Sequence, residues 1–213
     1  TANGYVALYS NTSGNYNMAG GVAALYNNTS GNNNTANGYG ALNRNTIGSF
    51  NTASGNQALH YNTNGVNNTA SGSGALYRNT SGNFNTAGGA EALFSNTTGH
   101  NNTASGFQAL MNNTNGNFNI ALGYLAGNNL TSGDNNVFIG NQGIDGDNNQ
   151  IRVGTQGGHT STFIAGIHGA TAVGGSLVYV NASGKLGTAG TVSGNVGIGT
   201  TTPATSLEIR AAT

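Results

Sequence analysis

The chain contains no cysteine and no tryptophan, a single proline, and very little charge: five Lys or Arg and five Asp or Glu in 213 residues. Without cysteine there is neither a disulfide framework nor a thiolate zinc site. Five cations, Arg44, Arg78, Arg152, Lys185 and Arg210, are too few for a basic nucleic-acid surface, and no nucleic-acid partner is expected. One proline (Pro203), and glycine without a three-residue period, exclude a collagen-like helix. No apolar run reaches the 18 residues that a membrane helix needs, so no membrane insertion is expected of this chain. No stretch reads as a signal peptide. Charge-driven disorder fits poorly, because net charge is zero and 36% of residues are hydrophobic.

What fills the chain instead is glycine, 37 residues, and asparagine, 38 residues. Both are poor helix formers. They recur in register. Written in rows of 17 from Thr1, eight rows fit without an insertion. Position 2 is Ala in every row, position 4 Gly, position 7 Ala, position 12 Thr, position 14 Gly and position 17 Asn. Position 8 is Leu in seven rows and Gly127 in the eighth. Such self-similarity is the signature of a stacked-repeat architecture.

Seventeen residues are too few for a helix pair, but they suit short strands and turns. The pattern predicts an all-β chain, a parallel β-solenoid with rungs about 4.8 Å apart. One strand is expected near Asn17–Gly21 and a second over the x-A-L-Y segment, as in Gln57–His60. The N-T-S-G-N stretch reads as a turn, with Gly14 and its equivalents supplying positive φ. Identical residues then stack on themselves. Asn11, Asn28, Asn45, Asn62, Asn79, Asn96 and Asn113 are expected to form one amide ladder. Asn17, Asn34, Asn51, Asn68, Asn85, Asn102 and Asn119 are expected to form a second.

The predicted core is Leu8, Leu25, Leu42, Leu59, Leu76, Leu93 and Leu110, with two Ala per rung. One Leu per rung is thin against the chain entropy to be offset. Association is therefore expected, as an intertwined or side-by-side homotrimer. Position 16 alternates aromatic with Asn, which gives Tyr16, Phe50, Phe84 and Phe118 as interface candidates. Duplication of a two-row unit explains the same alternation without any interface.

The pattern changes near residue 120, and 36 of the 38 Asn lie at or before Asn149. Three regions follow: repeats over 1–136, a divergent repeat and cap over 137–170, and short β-segments in a neck or fibre-like region over 171–213. Segments are expected at Ile151–Gly154, Thr162–Ile167, Ser176–Val180 and Asn195–Ile209, with a hairpin turn at Asn181–Gly184.

The N-x-A-x-G cores at Asn119–Gly123, and in diverged form at Asn136–Gly140, resemble the head repeats of YadA-type trimeric autotransporter adhesins. Ile151-Arg152-Val153-Gly154, Thr162–Ile167 and Asn195–Thr200 resemble phage tail-fibre-like proteins, which often end in a self-cleaving intramolecular chaperone. The 17-residue period departs from the shorter adhesin head repeat. The resemblance implies a homotrimer of left-handed β-rolls, outside a cell or on a virion as a tail fibre. It also implies a host-surface glycan or receptor as partner and no enzymatic activity in this segment.

The chemistry agrees with a non-enzyme. There is no G-x-S-x-G, H-E-x-x-H or P-loop motif. No cofactor is expected. His60 and His100 occupy variable repeat positions. His159 and His168 would bind metal only if brought to the axis of a trimer. Asp134, Asp145, Asp147 and Asn148 read as a polar turn or, less simply, as oxygen ligands for Ca²⁺. Aromatics at position 5 (Tyr5, Tyr39, Phe107, Tyr124) suit either sugar stacking or subunit packing. The alternative function is an ice-binding or other ligand-binding solenoid acting through its Asn and Thr rows, Thr12 and its equivalents foremost.

Overall fold

The computed structural model describes residues 1–155 with Gly158 and His159, and beyond them the backbone of four short strands. Ten strands form one parallel sheet in strict sequence order. They are β1 (Ala2–Asn3), β2 (Met18–Gly20), β3 (Thr35–Asn37), β4 (Thr52–Ser54), β5 (Thr69–Ser71), β6 (Thr86–Gly88), β7 (Thr103–Ser105), β8 (Ile120–Leu122), β9 (Val137–Ile139) and β10 (Ile151–Val153). Each pairs with the same position one rung on, as in Thr52↔Thr69 and Ala53↔Ala70. The chain is a β-solenoid of about nine turns, and no helix occurs among the described residues. Nine intervals at strand spacing make it roughly 43 Å long.

The rung has one strand, not two. The x-A-L-Y segment is a chain of turns with positive φ at positions 6 and 8: Gln57 at 54° and Leu59 at 52°, Glu91 at 57° and Leu93 at 52°. Left-handed backbone costs an L-residue about 1–2 kcal/mol. Here it turns peptide groups along the solenoid axis, so that Leu59 N–H donates to Ala75 O and Gln57 N–H to Tyr39 O. Each Leu from Leu25 to Leu110 is 0% exposed. Burial of a leucine returns about 1.5–3 kcal/mol, and together with these inter-rung hydrogen bonds it holds that conformation. Leu8, in the first rung, is only partly buried.

The role expected of Gly14 is also different. Gly14 and its equivalents through Gly116 do not have positive φ; that belongs to position 4, as in Gly55 (140°) and Gly72 (143°). Position 14 is glycine for want of space. A Cβ on Gly82 would lie 2.3 Å from Asn79 Oδ1 and 2.5 Å from Gly99 O.

Both asparagine rows are interior. Asn28 through Asn113 at position 11, and Asn34 through Asn119 at position 17, are 0% exposed; Asn11 and Asn17 belong to the more open first rung. At position 17 the amide oxygen accepts from the next rung: Asn68 Oδ1 takes the Asn85 N–H at 3.0 Å and its Nδ2 at 3.2 Å. The amide nitrogen donates to the next glycine carbonyl, as Asn68 Nδ2 does to Gly82 O at 2.8 Å. At position 11 the amide reaches back, Asn79 Nδ2 donating to Asn62 Oδ1 at 2.7 Å and to Gly82 O at 3.0 Å. Two ladders thus converge on the carbonyl of position 14. The thin apolar core is sealed within one chain.

The eighth rung and the start of the ninth trade these roles. Gly127 stands where Leu is usual, Leu130 where Asn is usual, and the 0%-exposed Phe138 where Ala is usual. A Cβ on Gly127 would meet Phe138 Cδ2 and Leu110 Cδ2, each at 2.8 Å, so the phenyl ring occupies the missing leucine's volume. Leu130 ends the first ladder and leaves Asn113 Oδ1 as the one buried side-chain polar atom without a partner among the described residues. The ninth rung shortens: Val137 pairs with Ile151, fourteen residues on.

Two compact units result, Thr1–Thr155 and Gln156–Thr213. In the second, β11 (Tyr179–Val180) pairs antiparallel with β12 (Leu186–Gly187), on either side of the predicted turn. There too β13 (Val196–Ile198) pairs in parallel with β14 (Leu207–Ile209). Thr162–Ile167 and His168 lie outside the described residues.

Candidate functional surfaces

With the interior committed to ladders and leucines, function lies on the outward rows. Position 16 is the most strained of them. Tyr16, Phe50, Phe84 and Phe118 have φ of 56–60°, as do the Asn residues on the alternate rungs. Asparagine tolerates this region; an aromatic residue does not. The rings are also exposed, 86% for Tyr16 and 57–58% for the three Phe. The backbone N–H of Phe50, Phe84 and Phe118 each donates to a carbonyl of the preceding rung, of Asn32, Val66 and His100, but the exposed rings add little burial within one chain to offset the strain.

Several of the other described aromatics pair with one another. Tyr9 stacks on Tyr26 at 5.2 Å, His60 on Tyr77 at 5.4 Å, and Tyr77 on Phe94 at 4.9 Å. Arg44 lies over Tyr61, 4.7 Å from its centroid, and Arg78 over Phe94 at 5.7 Å. At position 5, Phe107 and Tyr124 stack at 5.7 Å. Rings that face one another along the axis offer edges to solvent, which suits a sugar platform poorly. Tyr5 and Tyr39 are exposed and lie outside these stacks.

The titratable groups His60, His100, Asp145 and Asp147 are each engaged locally. His60 Nδ1 lies 3.1 Å from Gly40 O, and since a carbonyl only accepts, Nδ1 carries the proton. Burial holds the imidazole below its ordinary value of 6.5, aided by Arg44 and opposed by the Gly40 bond. The unfolded chain therefore binds a proton first, and His60 destabilises the fold as pH drops through 6.5. The melting temperature is expected to fall between about pH 7.5 and 5.5, and the fall to shrink in His60→Tyr, which restores a ring common at this position. An unchanged slope in differential scanning calorimetry would contradict this.

His100 belongs to a third ladder that sequence reading missed. Its Nδ1 accepts the Asn83 N–H at 3.0 Å, just as Asn83 Oδ1 accepts from Val66 N–H, Asn117 Oδ1 from His100 N–H and Asp134 Oδ1 from Asn117 N–H. Position 15 takes Asn, Ser, His or Asp because any short acceptor serves; Val66 is the exception. That shared chemistry was readable, but the residue identities varied too much to stand out.

The acidic turn does not converge on a metal. Asp145 accepts from Thr131 Oγ1 at 2.5 Å, which lowers its carboxyl below the ordinary range. Asp147 forms a two-pronged ion pair with Arg152, Nε to Oδ2 and Nη2 to Oδ1, each 2.6 Å. Burial raises the Asp147 carboxyl, but the guanidinium and the Ile144 N–H outweigh it, and the net direction is down. No cluster of three potential metal ligands occurs among the described residues. A shallow trough of about 310 Å³ over β1–β3, lined by Thr1, Asn3, Met18, Gly20, Thr35 and Asn37 among others, contains no titratable side chain.

Two further outward features lie on the sheet. From β3 to β7 the strands present Thr and then Ser, Asn or Gly. From β8 to β10 the same face turns aliphatic, with Ile120, Leu122, Ile139, Ile151 and Val153 exposed by 40–76%. No family model, curated protein or solved structure matches the chain.

Proposed function

We propose that the chain is a non-enzymatic segment of an extracellular fibre, a tail-fibre or surface-adhesin shaft, that works as a homotrimer of left-handed β-rolls and carries an attachment surface for a host glycan or receptor. The observation that carries the association is the position-16 row: exposed aromatic rings at a backbone conformation that costs about 1–2 kcal/mol each, held by an inter-rung hydrogen bond at Phe50, Phe84 and Phe118 but with little side-chain burial in the chain to offset it. Contact between copies supplies the compensation. The aliphatic end of the sheet adds a contiguous apolar patch of the kind that marks association sites. The ladders make the shaft stiff and self-contained, and its near lack of charge removes long-range steering from any binding event.

Light scattering and sedimentation test the reading, with a trimer as the expected mass. Replacing Phe50, Phe84 and Phe118 together by Asn, the residue on the alternate rungs, gives a sign to the test. If the rings bridge copies, the variant loses mass and melts lower. If they are free in solution, Asn relieves strain and the variant melts higher at unchanged mass, which would overturn the interface.

A further inference from the structure

Two rows of threonine stand on the solenoid, one at position 12 from Thr12 to Thr131 and one at the first strand position from β3 to β7, and the structure separates them chemically. The Thr12 row, which the sequence offered only as an alternative, water-ordering surface, spends its hydroxyls internally. Thr12, Thr46, Thr80 and Thr114 Oγ1 each donate to the threonine carbonyl one rung on, at 2.9–3.0 Å. The first strand position does the opposite. Thr35, Thr52, Thr69, Thr86 and Thr103 are all exposed, and their hydroxyls make no hydrogen bond within the protein among the described residues. Two residues along each strand a second outward row follows, Asn or Ser except at Gly88.

The pairing fixes this array in two dimensions. Thr35↔Thr52↔Thr69↔Thr86↔Thr103 and Asn37↔Ser54↔Ser71↔Gly88↔Ser105 are in strict register. The rows therefore repeat at about 4.8 Å along the axis and lie about 6.6 Å apart across the strand. The axial repeat is close to one repeat of oxygen atoms on a prism face of hexagonal ice. No charged side chain stands in either row from β1 to β10, and no aromatic ring does, so the face complements an uncharged hydrogen-bonding lattice better than an ion or a stacked sugar. Threonine also presents a methyl beside each hydroxyl, which confines the water between rows.

We infer that the outward face of β3 to β7 binds ice, through water held in the lattice of free Thr and Ser hydroxyls. The inference does not rest on the fibre reading, and one set of samples tests the two separately. Thermal hysteresis and ice recrystallisation are measured on the full chain, with solution mass recorded in parallel. The wild type is expected to arrest and facet ice crystals. Thr69→Lys with Thr86→Lys, at the centre of the face, is expected to lose that activity at unchanged mass. Thr98→Lys, on the exposed turn edge, is expected to keep it. Thr69→Tyr, bulky but uncharged, repeats the test should the lysine pair lower the melting temperature.

An inactive wild type overturns the inference whatever its mass. So does equal loss in Thr98→Lys, or retention of binding to crystalline cellulose or chitin in place of ice. A fall in mass in the lysine pair shows that copies pack along this face, as its aliphatic end would favour, and also overturns it. A trimer without hysteresis leaves the fibre reading standing, and a hysteretic monomer does the reverse.

Discussion

Asn68→Ala is expected to destabilise the protein by about 3–5 kcal/mol, an unusually large cost for a polar side chain. Asn68 sits 0% exposed in the middle of its ladder. Truncation removes its bonds to Asn51 Oδ1 and Gly82 O and leaves the Asn85 backbone N–H with no acceptor. Gly82 O keeps its bond from Asn79, so the damage concentrates on the Asn85 donor and on the space left behind. A buried unsatisfied donor costs about 1–3 kcal/mol by itself, and the lost bonds add about 0.5–1.5 each. Asn64→Ala, on the exposed turn, should stay within about 0.5 kcal/mol of wild type. Urea titration of both variants decides the matter; similar midpoints would mean that the ladders are ornamental. Asn68→Asp keeps the shape but buries a charge facing the Gly82 carbonyl. It should be worse at neutral pH and partly rescued in acid, where the carboxyl is protonated.

Gly82→Ala and Gly88→Ala should move stability in opposite directions. The added Cβ on Gly82 would sit 2.3 Å from Asn79 Oδ1, 2.5 Å from Gly99 O and 2.8 Å from Asn96 Nδ2. Two of those are ladder amides and one is backbone, so none can yield without breaking a bond that another rung needs. A loss of about 3 kcal/mol or more is expected. At Gly88 the nearest atoms are Ser105 Oγ at 3.9 Å and Ala104 O at 4.0 Å, and Ser occupies the equivalent position in β4, β5 and β7. There the substitution only restricts the unfolded chain, and a gain of about 0.4–1 kcal/mol is expected. Thermal melts of the two variants, run side by side, should straddle wild type; a common direction would refute the packing argument.

The period, the strand at T-A-S, the two asparagine ladders and the leucine row were all legible in the sequence, because each is an identical residue stacked on itself. The second half of the rung was not. Gln57, Leu59, Glu91 and Leu93 carry no local signal for left-handed backbone; that conformation is imposed by inter-rung hydrogen bonds and by burial of the leucine. Glycine at position 14 misled for the same reason: its residue type suggests a turn with positive φ, whereas its neighbours in space demand the absence of a side chain. The exchange among Gly127, Leu130 and Phe138 was visible only as broken pattern, since compensation across three positions requires knowing which of them touch. On the surface, the Thr12 and Thr52 rows look alike as letters. Only the destination of each hydroxyl proton separates them.

In such a stack each rung touches only its neighbours, and rungs two apart carry the same kind of residue at position 16. A gene of this kind can gain or lose whole units by unequal recombination without inventing a new contact. Each 34-residue step keeps the aromatic alternation in phase, and it alters the reach of the molecule by about 9.6 Å. The length of the solenoid is thus a heritable quantity that changes in discrete increments.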